Sequence, residues 1–114
     1  MALTIEEKKM GGVTVLKISG RVSLGDESSM LRTRLKDTVA SSVKQIVLDL
    51  SEVSYLDSAG LGTLVAGFTS ARNQGANLKL ANLTRKLHEQ LQITKLVTVF
   101  EVFDSVDAAV KSFA

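Results

Sequence analysis

The chain has 114 residues, 45% of them hydrophobic, which is enough for a buried core and too many for a disordered segment. It contains no cysteine, so disulfides, thiol nucleophiles and cysteine-ligated zinc are excluded. The net charge is only +2, the basic residues are scattered without interleaved aromatics, and no run of about 18 apolar residues occurs, so neither a nucleic-acid surface nor a membrane span is expected.

The first residues turn charged at Glu6 and carry no signal-peptide pattern, so a cytoplasmic location is the expectation. Residues 3–10 mix Leu3 and Ile5 with the charges Glu6 to Lys9, a pattern suited to an edge strand. Gly11-Gly12 signals a hairpin, and Val13, Val15, Leu16, Ile18 and Val22 predict a strand buried on both faces over part of its length. Ser23 and Asp26 are candidate caps for a helix over 26–40, whose apolar stripe is Met30, Leu31, Leu35 and Val39.

Residues 44–50 predict a third strand, continuously apolar at Ile46-Val47-Leu48 as in parallel strands covered on both faces. A helix over 59–74 follows, with Leu61, Leu64, Val65 and Phe68 at helical spacing and Gly75 as its stop. Residues 77–81 predict a short strand. Thr84 caps a third helix with Leu87 and Leu91 inward, residues 99–103 predict a fifth strand, and Ser105 caps a last helix carrying Ala109, Val110 and Phe113. The order β-β-α-β-α-β-α-β-α implies an α/β fold. A mixed five-stranded sheet, with an N-terminal hairpin and then parallel strands joined by right-handed crossovers, is combined with about four helices. No linker or repeat interrupts it, so residues 1–114 are expected to form one domain.

The segment with most chemical content is Leu48-Asp49-Leu50-Ser51, then Val53, then Tyr55-Leu56-Asp57-Ser58-Ala59-Gly60-Leu61-Gly62. A strand ends, a short polar link follows, and an Asp-Ser pair stands at the mouth of a helix. Ser58 is open to two readings: a helix N-cap, or a hydroxyl that receives a phosphate. Asp57 is an equally good cap, which frees Ser58, and the N–H groups of a first helical turn favour anions. Gly60 and Gly62 strip side chains from that turn and leave room for a partner to approach. The small residues Thr63, Gly67 and Ser70 make a weakly polar helix face, either a contact surface or simply solvated. The expected partner-binding set is Asp57, Ser58, Ala59, Gly60, Gly62 and Thr63.

Catalysis has little support. Val65 stands where a G-x-G-x-x-G pattern needs its third glycine, and Leu56 removes G-x-S-x-G around Ser58. His88, the only histidine, lies off the Leu87/Leu91 stripe and reads as a surface residue rather than a base for Ser58. Asp49 and Asp57 lack further ligands for a metal. No catalytic residue, metal or cofactor is expected, and the chain reads as a binding module rather than an enzyme.

Together, Val47-Leu48-Asp49-Leu50, Leu56 to Gly62, Asn82-Leu83, Leu91, Thr94, Leu96, Val99 to Phe103, Ser105 and Ala108-Ala109 give a chain that resembles the STAS domain over nearly its whole length. That family is shared by anti-sigma-factor antagonists and the cytoplasmic tails of sulfate transporters. The resemblance to the antagonists implies partner switching. The unmodified form binds an anti-sigma factor that is also a serine kinase, which frees the sigma factor. Phosphorylation at the position matching Ser58 abolishes binding, and a serine phosphatase resets the cycle. Many antagonists carry a second hydroxyl where this chain has Ala59, so Ser58 is the one acceptor in the motif. Asp-Ser-Ala-Gly is also similar to STAS subunits that brace lipid transporters, which implies the alternative of an unphosphorylated adaptor in a transporter or signalling assembly.

Overall fold

The computed structural model describes residues 3–41 and 43–113. Strand β1 (Thr4–Met10) turns back through Gly11 and Gly12 into β2 (Val13–Val22). Both glycines have positive φ, 57° and 84°, the backbone a two-residue hairpin turn of matching twist requires. Then follow α1 (Asp26–Ala40), β3 (Gln45–Leu56), α2 (Ser58–Asn73), β4 (Asn77–Ala81), α3 (Arg85–Ile93), a 3-10 turn (Leu96–Thr98), β5 (Val102–Phe103) and α4 (Val106–Lys111). The sheet has the strand order β1-β2-β3-β4-β5. β1 runs antiparallel to β2, and each later neighbour pair is parallel. The expected mixed α/β sheet with its N-terminal hairpin and four helices is therefore what the chain forms.

Alternation along the strands divides the core in two. Leu16, Ile18, Ile46, Leu48, Leu78 and Leu80 face α1, α2 and α3, and bury there with Leu31, Leu35, Leu64 and Leu91. Val13, Val15, Val47 and Ala81 face the other way and meet only the short α4, through Ala109 flanked by Val106, Val110 and Phe113. The side carrying three helices holds most of the apolar burial, and hence most of the hydrophobic stabilisation.

Three expectations are corrected. The third strand does not stop at Leu50. It continues to Leu56, because after two irregularities in its pairing with β2 the residues Val53 and Leu56 again turn inward while Ser51, Glu52 and Ser54 face solvent. The expected polar link is thus strand. The fifth strand is shorter than 99–103: Val99 closes the 3-10 turn through its N–H to the Leu96 carbonyl (2.9 Å), and Phe100 leaves the sheet to pack edge-on against Phe68 at 5.3 Å. Burying an aromatic ring outweighs edge pairing at Val99 and Phe100, while the Glu101 carbonyl still accepts from the Leu80 N–H of β4 (2.9 Å). Helix α1 is capped by neither Ser23 nor Asp26. Its N-cap position is Gly25, with φ 108° and no side-chain cap bond, and the Ser23 hydroxyl donates instead to Glu27 (2.7 Å). Thr84 and Ser105 do cap their helices, accepting from the Leu87 and Ala108 N–H groups at 3.2 and 3.0 Å.

Candidate functional site

The parallel strands β2 and β3 end together, with Val22 beside Leu56. From there one strand leads into α1 and the other into α2. The Asp57 N–H donates to the Val22 carbonyl (3.2 Å), which fixes the turn into α2 against the end of β2. The Asp57 carboxylate then works in two directions. Oδ1 accepts from the Gly60 N–H (2.9 Å) as the N-cap of α2, and Oδ2 accepts from the Leu24 N–H (2.9 Å) in the loop that leads to α1. The Gly60 N–H, followed by that of Leu24, holds this carboxyl below its ordinary value of 3.8.

With Asp57 as the cap, Ser58 becomes the first residue of α2 and is exposed. Its hydroxyl has no protein partner among the described residues. The hydroxyl therefore stands at a helix N-terminus without a structural task. Ala59 is half-buried beside it and Gly62 is exposed, with open space where a side chain would project.

Gly60 and Thr63 do not belong to the presented surface. A Cβ on Gly60 would lie 2.6 Å from the Val22 carbonyl oxygen and 2.6 Å from Leu56 Cδ1, so its bare backbone serves close approach within the chain, not access for a partner. Thr63 is fully buried and its hydroxyl donates to the Ala59 carbonyl (3.0 Å). Gly67, on the same face, lies so close to Leu35 of α1 that a Cβ would come within 2.6 Å of it. The small-residue face of α2 is thus the packing seam with α1.

Sequence reasoning missed a cleft of about 530 Å³ beside Ser58, between the end of β3 and α3. Val53, Tyr55, Ser58, Lys86, Gln90 and Ile93 are among its lining residues. Gln90 spans from α3 to donate to the Leu56 carbonyl (2.6 Å), which ties the cleft's two walls together. Two apolar side chains near this end of the molecule stand in water: Ile93 is 82% exposed and Leu24 80%. Each carried a signal, Leu24 as an apolar residue inside a polar turn and Ile93 as one off the helix stripe.

His88 is exposed and lines a different cleft with Asn82 and Phe103, so the fold does not pair it with Ser58. Asp49 is buried and committed, accepting from the Ser51 N–H (3.1 Å) and the Asn82 side chain (3.3 Å). Among the described residues no cluster of three or more His, Asp or Glu side chains is arranged to hold a metal ion. Nor is any helix among them long and apolar enough to cross a membrane.

The sheet order, the hairpin and the Asp-Ser turn define a known class. The STAS domain model matches residues 4–109, and the chain belongs to that family. The chain is 29% identical over 102 residues to the anti-sigma-B factor antagonist of Bacillus subtilis, covering 90% of this chain and 92% of that protein. Its fold is similar to the crystal structure of an anti-sigma factor antagonist from Mycobacterium paratuberculosis, with a TM-score of 0.88 and 23% identity over 97% of this chain and 93% of the other. The Bacillus cell fate determinant SpoIIAA is also similar in fold at 14% identity. Its unphosphorylated form gives a TM-score of 0.72 over 97% of this chain and 96% of the other, and its phosphorylated form 0.74 over 99% and 100%.

Proposed function

We propose that this chain is an anti-sigma factor antagonist that works by partner switching, with Ser58 as its phosphate acceptor. The observation that carries this reading is the division of labour at the start of α2: Asp57 does the capping and the Ser58 hydroxyl is left exposed, with no partner among the described residues. The relatives named above are anti-sigma factor antagonists, which supports the same role here. In this reading the chain, a single domain over residues 1–114 acting in the cytoplasm, is a substrate and binding module, not an enzyme. The unmodified surface around Asp57, Ser58, Ala59 and Gly62 engages an anti-sigma factor with serine kinase activity, and a serine phosphatase restores it.

A phosphate adds about −1.5 to −2 charges at pH 7. At an exposed helix N-terminus an anion gains about 0.3–1 kcal/mol, and the Asp57 charge opposes it, so the fold stays put. At an interface the same charge must be desolvated or must meet a like charge, which costs several kcal/mol, and each 1.4 kcal/mol is about tenfold in affinity. Modification therefore acts by blocking the partner. Incubation with a cognate kinase and ATP is expected to add one phosphate, located by mass spectrometry in the peptide spanning Tyr55 to Arg72. Phosphate on Ser54 or Thr63 alone overturns the assignment. Ala59, in place of a second hydroxyl, favours a second reading, an unmodified STAS adaptor in a transporter or signalling assembly. A protein that stays unphosphorylated and co-purifies with a transporter supports that one.

A further inference from the structure

Two cations converge on one aromatic ring at the Ser58 cleft. Arg21 on β2 pairs across the sheet with Tyr55 on β3, and its guanidinium carbon lies 5.1 Å from the Tyr55 ring centroid. Lys86, in the first turn of α3, brings its Nζ within 5.9 Å of the same ring. Tyr55, Lys86 and Ser58 line the same cleft. A cation over a ring face is positioned without being neutralised. Among the described residues neither cation has a carboxylate within 4.0 Å. The acidic groups on this cleft are engaged elsewhere: Glu89 pairs with Arg85 (3.7 Å), and both Asp57 oxygens accept from backbone N–H groups.

The first turn of α2 is already partly committed. The Gly60 N–H is taken by the Asp57 carboxylate and the Leu61 N–H by the Asp57 carbonyl. Asp57 itself, held anionic, repels a neighbouring phosphate. A phosphate on Ser58 therefore meets the Asp57 charge at the start of its own helix and a full positive charge across the cleft.

We propose that Lys86, which shares the Tyr55 ring with Arg21, is the counterion within this chain for a phosphate on Ser58. This rests on the reading of Ser58 as the acceptor. Lysine suits the task as a mobile point charge with three donors on a long stem. The phosphate is drawn over the mouth of the cleft toward α3, so that modification both adds charge and covers the Tyr55–Ser58 surface. In the unmodified protein the same cleft stays open.

The test needs no kinase. The full chain is made with phosphoserine incorporated at position 58 during synthesis, and the phosphate is titrated by phosphorus NMR. Asp57, Glu89, Lys86 and Tyr55 on the cleft, with Arg21 at the Tyr55 ring, are the charged or titratable groups facing it among the described residues. A nearby cation favours the dianion, so Lys86→Ala is expected to raise the second phosphate pKa by about 0.3 unit or more. Lys86→Arg is expected to restore most of the shift, Lys36→Ala on α1 to leave it unchanged, and about 1 M salt to shrink it. A Lys86→Ala or Lys86→Gln titration within about 0.1 unit of the parent overturns the proposal. A kinase that ignores Ser58 leaves this titration intact and defeats the acceptor reading instead.

Discussion

Helices α1 and α2 start side by side at the ends of neighbouring parallel strands, yet the two starts are built differently. Helix α2 begins on a side chain, the Asp57 carboxylate, which caps it through the Gly60 N–H. Helix α1 begins on a backbone conformation, Gly25 at φ 108°, with no side-chain cap of its own. The two are joined because the second oxygen of Asp57 holds the Leu24 N–H at the approach to α1. One acidic residue thus organises the N-termini of two helices, and the neighbouring serine is released from structural work. That release is the physical basis for reading Ser58 as a site that can be modified without cost to the fold.

The largest effect expected from breaking this arrangement is at Gly60. Gly60→Ala drives a Cβ to 2.6 Å from the Val22 carbonyl oxygen, a backbone atom that cannot swing aside. A loss of about 3 kcal/mol is expected in denaturant titration. Gly62→Ala, two residues on, meets nothing within 4 Å and is expected to stabilise by about 0.5–1 kcal/mol. Equal effects at the two glycines would show that the close approach of β2 to α2 is absent.

Next comes the start of α1. Gly25→Ala places an L side chain at φ 108°, and although the space around it is open the backbone strain is expected to cost about 1–3 kcal/mol. A melting temperature unchanged by this substitution would mean that the turn can relax into an ordinary cap.

A smaller effect is expected at Asp57, and it depends on pH. The folded-state carboxyl sits below its ordinary value of 3.8, so its contribution is complete above that value and is lost as pH falls through the lower, folded one. Asp57→Asn is expected to lower the melting temperature by several degrees at pH 7 and by progressively less in acid. Parallel pH profiles for the parent and the variant would count against the two-armed carboxylate.

The smallest effect is at Ser58. Ser58→Ala is expected to change stability by no more than about 0.5 kcal/mol, because the residue is exposed and the cap lies elsewhere. Partner binding is expected to survive while phosphorylation stops, and Ser58→Asp is expected to weaken binding with an unchanged far-UV spectrum. A large drop in melting temperature for Ser58→Ala would return the residue to the role of a structural cap.

Alternation of apolar and polar residues made the sheet legible, and the hydroxyl before each of the last two helices made their starts legible. Interruptions of the period were not. The irregular pairing after Lys17 and Gly20 hid the outer half of β3, whose Ser51, Glu52 and Ser54 read as a link. At the site, Asp57 and Ser58 were legible because capping is local chemistry. Gly60 and Gly62 look alike in sequence and differ only in what lies across from them, Val22 and Leu56 in one case and solvent in the other. The same holds for Thr63, buried by the approach of α1, and for the cleft, whose second wall arrives with α3, far along the chain from the first.

The spatial order of the strands has a consequence for how the molecule is made. Strands one to five lie in the sheet in the order in which the ribosome delivers them. Each new strand meets a neighbour already in place, and none must wait for a distant segment or insert between two others. Contacts that close over short stretches of chain are the quick ones to form, and N-terminal portions organise first during synthesis. The knot of Val22, Leu24, Asp57 and Gly60 can tie as soon as residue 60 has emerged, with nearly half the chain still to come. The serine is therefore set in its working position early, and the lysine that we pair with it arrives later, when α3 folds down over the finished turn.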